Sequence, residues 1–211
     1  MKLIGLTGGI GAGKSTVSNA LRERGAVIVD ADAITKELQQ PGTEVFAKML
    51  AELGDGILAA DGTLDRQGLA EIVFNDKEKL TALQMIVWPA VGLETAARIQ
   101  ANADTDSVVV LDIPMLTVKG RYGMAGILVV DTPVETAVAR LVEHRAMPED
   151  DARARIANQP SRDERKALAD FVVDNGGTPA DLEPQLDAAW AWIQTLPDWT
   201  PESAPDVTEA S

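Results

Sequence analysis

Five short runs of apolar, largely β-branched residues lie at intervals along the chain. They are continuous instead of alternating with polar residues, which is typical of strands buried on both faces of a parallel sheet. The predicted strands are residues 2–6, 26–29, 107–111, 126–130 and 171–173. Helical patterns separate them, so the sequence predicts βαβ units and an α/β fold with a doubly wound sheet.

Helix-boundary residues agree with this pattern. The first helix is expected to end near Gly25, since glycine commonly follows a helix C-terminus. Another helix is expected at "TPVE", with Thr132 as N-cap and Pro133 at the first helical position. The last helix is expected to begin at "TPAD" (residues 178–181).

The interval 33–106 is predicted to be helical, with breaks at "QQPGTE", "DGTLDR", "FNDKEK" and Pro89. A crossover between parallel strands needs only about a dozen residues, so this interval is predicted to be an inserted helical domain. It divides a nucleotide-binding core of residues 1–32 and 107–196. Residues 197–211, rich in proline and acids, are expected to be a disordered tail.

Composition narrows the class of protein. The 211 residues include no cysteine and carry a net charge of −14, which disfavours binding to nucleic acid or to an anionic membrane. No run of 18 apolar residues and no secretory signal is present, so we expect a cytoplasmic protein. Seven of the 19 Lys and Arg residues nevertheless fall between residues 140 and 166.

The densest chemical signal is GGIGAGKS (residues 8–15), which fits G-x-x-x-x-G-K-[ST]. Glycines let backbone N–H groups turn inward around a phosphate, and the following helix directs its positive N-terminus there. Lys14 would reach the β- and γ-phosphates, and the Ser15 hydroxyl would ligate Mg²⁺. We therefore predict a nucleoside-triphosphate site on a three-layer α/β/α fold of the P-loop type. Its residues are Gly9, Gly11, Ala12, Gly13, Lys14, Ser15 and Thr16.

Acids follow two predicted strands. "VVVLD" ends in Asp112, and on a P-loop sheet such an acid commonly holds Mg²⁺. Asp30 and Asp32 follow the second strand; if that strand continues, alternation points both carboxylates the same way. An acid there could accept the proton of an attacking hydroxyl, and from the residues alone a solvated turn acid is equally consistent.

The cation-rich segment 140–168 is predicted to be a helical lid. One lid helix is expected after Pro148, and another is expected to begin with a Ser161/Glu164 capping box. Arg140 and Arg145 precede these helices and are the arginines predicted to act on the phosphates. The other cations are interpreted as partners in ion pairs on a solvated hairpin: Arg153, Arg162, Arg165 and Lys166.

A triphosphate loop does not identify the acceptor. No N-K-x-D occurs, which disfavours a regulatory GTPase, and the acidic surface disfavours DNA-linked ATPases. A small-molecule kinase remains. The alternatives left open are another P-loop nucleoside or metabolite kinase, and a nucleotide-binding regulator without turnover.

Seven segments together resemble the dephospho-CoA kinase family, in the same order and over about residues 1–190. They are "GLTGGIGAGKST", "VIVDADAITKEL", "PGTEVF", "DGTLDRQGLAEIVFND", "WPAV", "LDIPML" and "ADFVVDNGG". The resemblance implies transfer of the γ-phosphate of ATP, with Mg²⁺, to the ribose 3′-hydroxyl of dephospho-CoA, the last step of coenzyme A synthesis. It also implies a P-loop core with a helical CoA domain and a lid, in a monomer or small homo-oligomer.

By position, the resemblance makes Asp32 the acid that binds and activates the hydroxyl and Arg140 the arginine at the lid base. Asn175 and Gly177 match the loop on the adenine side of the nucleotide. Arg66 is a candidate contact to the acceptor, and a structural ion pair is an equal alternative for it.

Two segments depart from the family pattern. Trp88-Pro89 stands where the family usually has His-Pro, so an apolar side chain replaces a protonatable contact to the acceptor. "PMLTV" ends in Val118 where the family tends to have glutamate. Neither departure touches the residues of phosphate transfer, and we expect an active enzyme.

Overall fold

The computed structural model describes residues 1–114, 116 and 121–201, and it contains one five-stranded sheet. The strands are β1 (Lys2–Gly8), β2 (Val27–Asp30), β3 (Val108–Asp112), β4 (Gly126–Asp131) and β5 (Phe171–Asp174). Their order is β2-β3-β1-β4-β5, and β1 pairs in parallel with both β3 and β4. The predicted α/β fold with a parallel sheet is confirmed.

Helices follow the strands as βαβ units require. The bounds of the longer helices are α1 (Lys14–Glu23), α2 (Ala31–Leu38), α3 (Glu44–Leu53), α4 (Arg66–Phe74), α5 (Lys77–Gln100), α6 (Val134–Arg145), α7 (Glu149–Ala157), α8 (Arg162–Leu168) and α9 (Pro179–Thr195). The C-terminal position of Gly25 after α1 is confirmed by its φ of +100°. Capping boxes begin both α8 and α9, so these two predicted starts are confirmed as well.

The register aligns the carboxyl ends of the strands. Leu6 of β1 lies opposite Asp112, Gly8 lies opposite Val130, and Asp131 lies opposite Asp174. The central strands β1, β3 and β4 are buried almost throughout, which explains why their sequences are continuous apolar runs. The loop that follows β1 therefore begins from a rigid, buried strand.

The chain divides into two compact units, one formed by Met1–Val29 with the described residues from Ala101 onward, and the other by Asp30–Gln100. The first unit contains the glycine loop and the sheet core, in which α1 and α9 bury residues such as Val17, Leu186 and Ile193. The second unit is helical and has its own core, around Met49, Ile57 and Val87. Its bounds differ from the predicted 33–106 by a few residues, because α5 ends at Gln100.

We expected Pro89 to break a helix, and it does not. It lies inside α5, which runs without interruption from Lys77 to Gln100. Proline removes one backbone hydrogen bond, but α5 buries Val87 before it and Ile99 after it, and this packing outweighs the loss. Among the described helices, α5 alone is long and apolar enough to cross a membrane by length and composition; its apolar residues contribute to the core of the helical unit.

The predicted N-cap at Thr132 is also wrong. Helix α6 begins at Val134 with Pro133 as its N-cap. The Thr132 hydroxyl is buried and donates instead to backbone carbonyl oxygens, that of Asp131 at 2.8 Å and that of Ala12 in the glycine loop at 3.1 Å. These contacts have taken the side chain that the local pattern assigned to the helix.

The ordered chain extends beyond residue 196, where we expected a disordered tail to begin. Trp199 is 8% exposed, and its indole Nε1–H donates to the Tyr122 carbonyl oxygen at 2.8 Å. Its backbone N–H donates to the Met1 carbonyl oxygen at 2.8 Å. Burial of this indole outweighs the ordering entropy of the polar residues around it. Residues 202–211 of the predicted tail lie outside the described residues, as does Val118.

Candidate active site

The glycine loop connects β1 to α1, and two of its glycines adopt left-handed backbone conformations. Gly11 has φ +76° and Gly13 has φ +84°. A Cβ on Gly13 would lie 2.1 Å from Asn175 Nδ2, and one on Gly11 would lie 2.7 Å from the Ala137 carbonyl oxygen. Glycine is therefore required at these positions both by backbone conformation and by close packing behind the loop.

Two buried side chains from other parts of the first unit bind the middle of the glycine loop. The Asn175 side-chain amide donates to the Ala12 carbonyl oxygen at 2.8 Å, and the Thr132 hydroxyl donates to the same oxygen. Asn175 is in turn fixed by its own backbone N–H, which donates to the Asp131 carbonyl oxygen at 2.8 Å. The loop is thus fastened to the ends of β4 and β5 through a single carbonyl group.

Lys14 begins α1 and forms an ion pair with Asp112. Asp112 is 3% exposed at the carboxyl end of β3, the strand next to β1. Ser15 and Thr16 follow on the first turn of α1, and both are exposed. Hydroxyl and carboxylate oxygens are the hard donors that Mg²⁺ prefers, so the chemistry of Ser15 and Asp112 fits this ion.

Four of the five strands end in aspartate, and the structure gives each acid a separate role. Asp30 caps α2, and Asp174 accepts a 2.8 Å hydrogen bond from the Gly176 N–H. Asp112 pairs with Lys14, and Asp131 pairs with cations of α8. The position of an acid at a strand end therefore does not define its function; its partners do.

Arg140 lies on α6 with its guanidinium against the loop. Its Nη1 is buried without a hydrogen-bond partner among the described residues, and it lies 3.7 Å from where a Gly13 Cβ would stand. A buried donor of a permanent cation without a partner is costly, and an anion held by the loop would satisfy it. Arg145, at the end of α6, is exposed and makes no such approach to the loop.

Comparison with known proteins agrees with this geometry. The model of the family described as dephospho-CoA kinase (CoaE) matches residues 2–181. The chain belongs to the dephospho-CoA kinase family. Dephospho-CoA kinases of Thermobifida fusca and Leifsonia xyli are 44% and 45% identical to it over 197 residues, which are 92% of this chain and 97% and 100% of theirs.

Solved structures show the same fold. The protein TT1252 from Thermus thermophilus has a TM-score of 0.74 at 33% identity, over 90% of this chain and 97% of that one. Dephospho-CoA kinase from Campylobacter jejuni has a TM-score of 0.69 at 24% identity, over 92% of this chain and 98% of that one. The likeness to the second structure is evidence for the fold alone.

The family resemblance assigned the acceptor hydroxyl to Asp32. Strand β2 ends at Asp30 and α2 begins at Ala31, so the strand does not continue and alternation does not align the two acids. The Asp30 carboxylate accepts from the N–H groups of Asp32 and Ala33, at 2.8 and 3.0 Å. Asp32 is exposed and its carboxylate has no partner in the described part of the chain. Local structure thus occupies one acid and leaves the other available.

The two remaining acceptor candidates lie elsewhere in the helical unit. Arg66 begins α4, and its Nη1 donates to Gln39 Oε1 at 3.0 Å, a contact to a neutral amide instead of an ion pair. Trp88 lies on α5 and is 66% exposed. Met85 and Leu93 of the same helix are also exposed, so Trp88 belongs to an apolar surface of α5.

Of the two adenine-side candidates, only Asn175 contacts the loop. Gly177 precedes α9, and a Cβ on it would lie 2.8 Å from Asp181 Oδ2. That oxygen belongs to the capping box of α9, where it accepts from the Thr178 N–H at 2.8 Å. The absence of a side chain at Gly177 leaves room for this cap, which is a structural reason for the glycine.

The ion pairs predicted for the lid cations are confirmed in part: Arg162 and Lys166 of α8 do form ion pairs, but with a distant acid, and no ion pair of Arg165 is found among the described residues. Arg153 does form the expected i,i+4 pair with Glu149, and it also pairs with Glu135. Arg162 instead donates to both carboxylate oxygens of Asp131, at 2.6 and 2.7 Å, and Lys166 lies 3.3 Å from the same carboxylate. These partners are about 30 residues apart, so no local spacing rule could have found them.

Asp131 is 4% exposed, and its environment changes its acidity. Burial alone would raise the pKa of the carboxyl, but the hydrogen bonds and charges of Arg162 and Lys166 outweigh burial and lower its pKa. The Asp131 carboxylate correspondingly raises the pKa of the Arg162 guanidinium. A charged pair thus joins α8 to the end of β4, beside the glycine loop.

Proposed function

We propose that the protein transfers the γ-phosphate of ATP to the ribose 3′-hydroxyl of dephospho-CoA, giving CoA and ADP, the last step of coenzyme A biosynthesis. The observation that carries this proposal is the glycine loop with a buried, unsatisfied Arg140 Nη1 beside it, in a chain that matches dephospho-CoA kinases along nearly its whole length. The loop supports phosphate binding, and family membership supports the acceptor.

The roles we assign are supported by the contacts around the glycine loop and by the family pattern. Inward-facing amides of the loop and the N-terminus of α1 bind the phosphates of ATP, with Lys14 neutralising the oxygens of the β- and γ-phosphates. Arg140 donates to the transferring group, where a planar guanidinium stabilises charge that develops in transfer. Asp32 accepts a hydrogen bond from the acceptor hydroxyl and orients or deprotonates it.

Mg²⁺ would be held by the Ser15 hydroxyl and, directly or through water, by Asp112. When bound, it neutralises charge on the β- and γ-phosphates. The pair between Lys14 and Asp112 keeps both side chains at the head of α1. Asn175 acts on the nucleotide side through its hold on the loop. Gly177 keeps only the support of the family pattern, and Arg145 keeps only that of its position before the lid helices.

The acceptor side of the proposal rests on three residues of the helical unit. Asp32 presents an exposed carboxylate, and Arg66 and Trp88 present a cation and an apolar surface to solvent. A nucleotide with a long pantetheine arm offers phosphate and apolar groups that such side chains can bind. We further propose that the protein acts in the cytoplasm as a monomer or small homo-oligomer, without a nucleic-acid or membrane partner.

The acceptor decides between this function and its alternatives. Formation of ADP from Mg·ATP should be measured with dephospho-CoA and, in parallel, with nucleoside monophosphates, shikimate and gluconate. We expect turnover with dephospho-CoA at least about 100-fold above the others, and a product phosphorylated at the 3′-hydroxyl. Turnover confined to another acceptor would make the protein a different metabolite kinase. Tight ATP binding without turnover on any acceptor would make it a regulator.

A further inference from the structure

Arg165 of α8 lies directly against the glycine loop. Its Nη2 is 2.8 Å from where a Cβ on Gly9 would stand, and its Cζ is 3.0 Å from the same point. A side chain at position 9 would displace the guanidinium from the place it occupies here. Gly9 is the second residue of the phosphate-binding pattern, so Arg165 approaches the loop at its beginning, whereas Arg140 approaches it at Gly13.

The contacts of α8 keep this guanidinium in place. Arg162 clamps α8 to Asp131 through two hydrogen bonds, and Lys166 approaches the same carboxylate. Just before α8, the Gln159 side-chain oxygen accepts from the Ile10 backbone N–H at 2.9 Å. Arg165 itself donates through Nη1 to the Pro160 carbonyl oxygen. Attachments on both sides of residue 165 thus fix α8 to the loop and to β4.

Arg165 is the surplus cation of this arrangement. Asp131 is occupied by Arg162 and Lys166, and within the described residues no carboxylate forms an ion pair with Arg165. Burial lowers the pKa of its guanidinium, which indicates an environment that destabilises the unpaired charge. A guanidinium has five N–H donors, and in the described part of the chain the bond to the Pro160 carbonyl is the one hydrogen bond that engages them. Its remaining donors suit a phosphate oxygen.

We propose that Arg165 is a second arginine of the phosphate site and contacts the phosphoryl group in transfer. The proposal rests on the proposed ATP-dependent function. The head of α1 binds the phosphate nearest the helix and Lys14 reaches the next one, so a cation over the first residues of the loop meets the terminal group. Arg140 and Arg165 then approach that group from the two ends of the loop.

The test compares nucleotides that differ only in the terminal phosphate. Calorimetry should measure the affinity of wild type, Arg165→Gln and Arg165→Lys for Mg·ADP and for a non-hydrolysable Mg·ATP analogue, alongside kcat with dephospho-CoA. For Arg165→Gln we expect affinity for the analogue to fall about tenfold or more, affinity for ADP to change by about threefold at most, and kcat to fall about 30-fold. Lysine should recover part of the analogue affinity and little of kcat, because a point charge does not replace a planar fork.

Arg155→Gln is the matched control, since Arg155 is an exposed arginine of α7 and its loss is the same change in charge. It should leave all three quantities unchanged within about twofold. Unchanged analogue affinity and kcat in Arg165→Gln, or equal losses for ADP and analogue, would overturn the proposal. If the glutamine variant does not fold, Arg165→Lys gives the same comparison. The binding measurements need no acceptor, so a wild type that binds the analogue but ignores dephospho-CoA refutes the proposed function without deciding the role of Arg165.

Discussion

The two units of the molecule differ in how their candidate functional residues are held. In the first unit, much of the phosphate site is fastened by contacts within the protein itself: Asn175 to Ala12, Lys14 to Asp112, and α8 to Asp131. In the helical unit, the side chains of Asp32 and Trp88 are exposed and make no polar contact with the described residues, and Arg66 has one contact to an amide. This contrast indicates that phosphate binding depends on close packing around the glycine loop, whereas acceptor binding depends on side chains exposed to solvent. Substitutions in the two units should therefore fail in different ways.

The largest effect should come from Gly13→Ala. The new Cβ would lie 2.1 Å from Asn175 Nδ2 and the residue would keep φ +84°, so strain and overpacking act together. We expect the affinity for Mg·ATP, measured by calorimetry, to fall about 100-fold or more. Gly62→Ala is the control, because Gly62 has φ +81° and nothing within 4 Å of its Cβ position. It should cost about 1 kcal/mol of stability and leave ATP binding intact; equal losses in both variants would deny the packing argument.

Asp32→Asn should lower kcat with dephospho-CoA by about 100-fold while leaving ATP affinity and the melting temperature near wild type. The neighbouring Asp30→Ala should show the opposite signature, a loss of about 1 kcal/mol in unfolding free energy, because Asp30 caps α2. Steady-state kinetics and urea unfolding of both variants make the comparison. A normal kcat in Asp32→Asn would remove this acid from the mechanism.

Arg140→Lys should reduce kcat about tenfold, because lysine supplies charge without the planar pair of donors. The buried position of Nη1 implies that the loss appears in transfer more than in stability. The same change at exposed Arg155 should have no measurable effect on kcat. Near-normal turnover in Arg140→Lys would limit Arg140 to a structural role.

The clamp on α8 should give stability a pH dependence. Because the pKa of Asp131 is lowered in the folded state, its contribution is present above the usual aspartate range and is lost as the pH falls through the lowered pKa. Asp131→Asn should cost about 1 to 2 kcal/mol near neutral pH, an amount limited by the partial exposure of Arg162. The difference between variant and wild type should shrink on acidification. Urea unfolding between pH 3 and 7 measures it, and a pH-independent difference would contradict the assignment.

The smallest effect should come from Trp88→Ala. Since Trp88 is 66% exposed, stability should change by about 0.5 kcal/mol or less. If the indole contacts the acceptor, KM for dephospho-CoA should rise about three- to tenfold with ATP affinity unchanged. Leu93→Ala, at a residue that is 74% exposed on the same helix, tests whether the effect belongs to Trp88 or to the apolar surface in general. An unaltered KM in Trp88→Ala would remove this residue from the acceptor site.

The local sequence pattern predicted the strands and helices well, because the residues that determine each of them are close together in the chain. The five strands were placed to within about two residues, since buried parallel strands need continuous apolar runs. The start of α8 was predicted from its Ser161/Glu164 capping box, and that of α9 from the sequence TPAD, which the structure also shows as a capping box. The same reasoning failed at Pro89, at Thr132 and at Trp199, where packing or a distant hydrogen bond outweighed the local preference.

In the candidate site too, some features could be predicted from local sequence and others could not. The sequence alone determined the glycine loop, Lys14 and the α/β order of elements, because their chemistry is contained in a few adjacent residues and in the periodicity of buried side chains. The tertiary structure alone decided which strand-end acid has which partner and which arginine faces the loop. Asp131 meets Arg162 across 31 positions, and Arg165 meets Gly9 across most of the chain. Such pairs form only when the sheet brings the ends of its strands together, so they cannot be predicted from spacing along the chain.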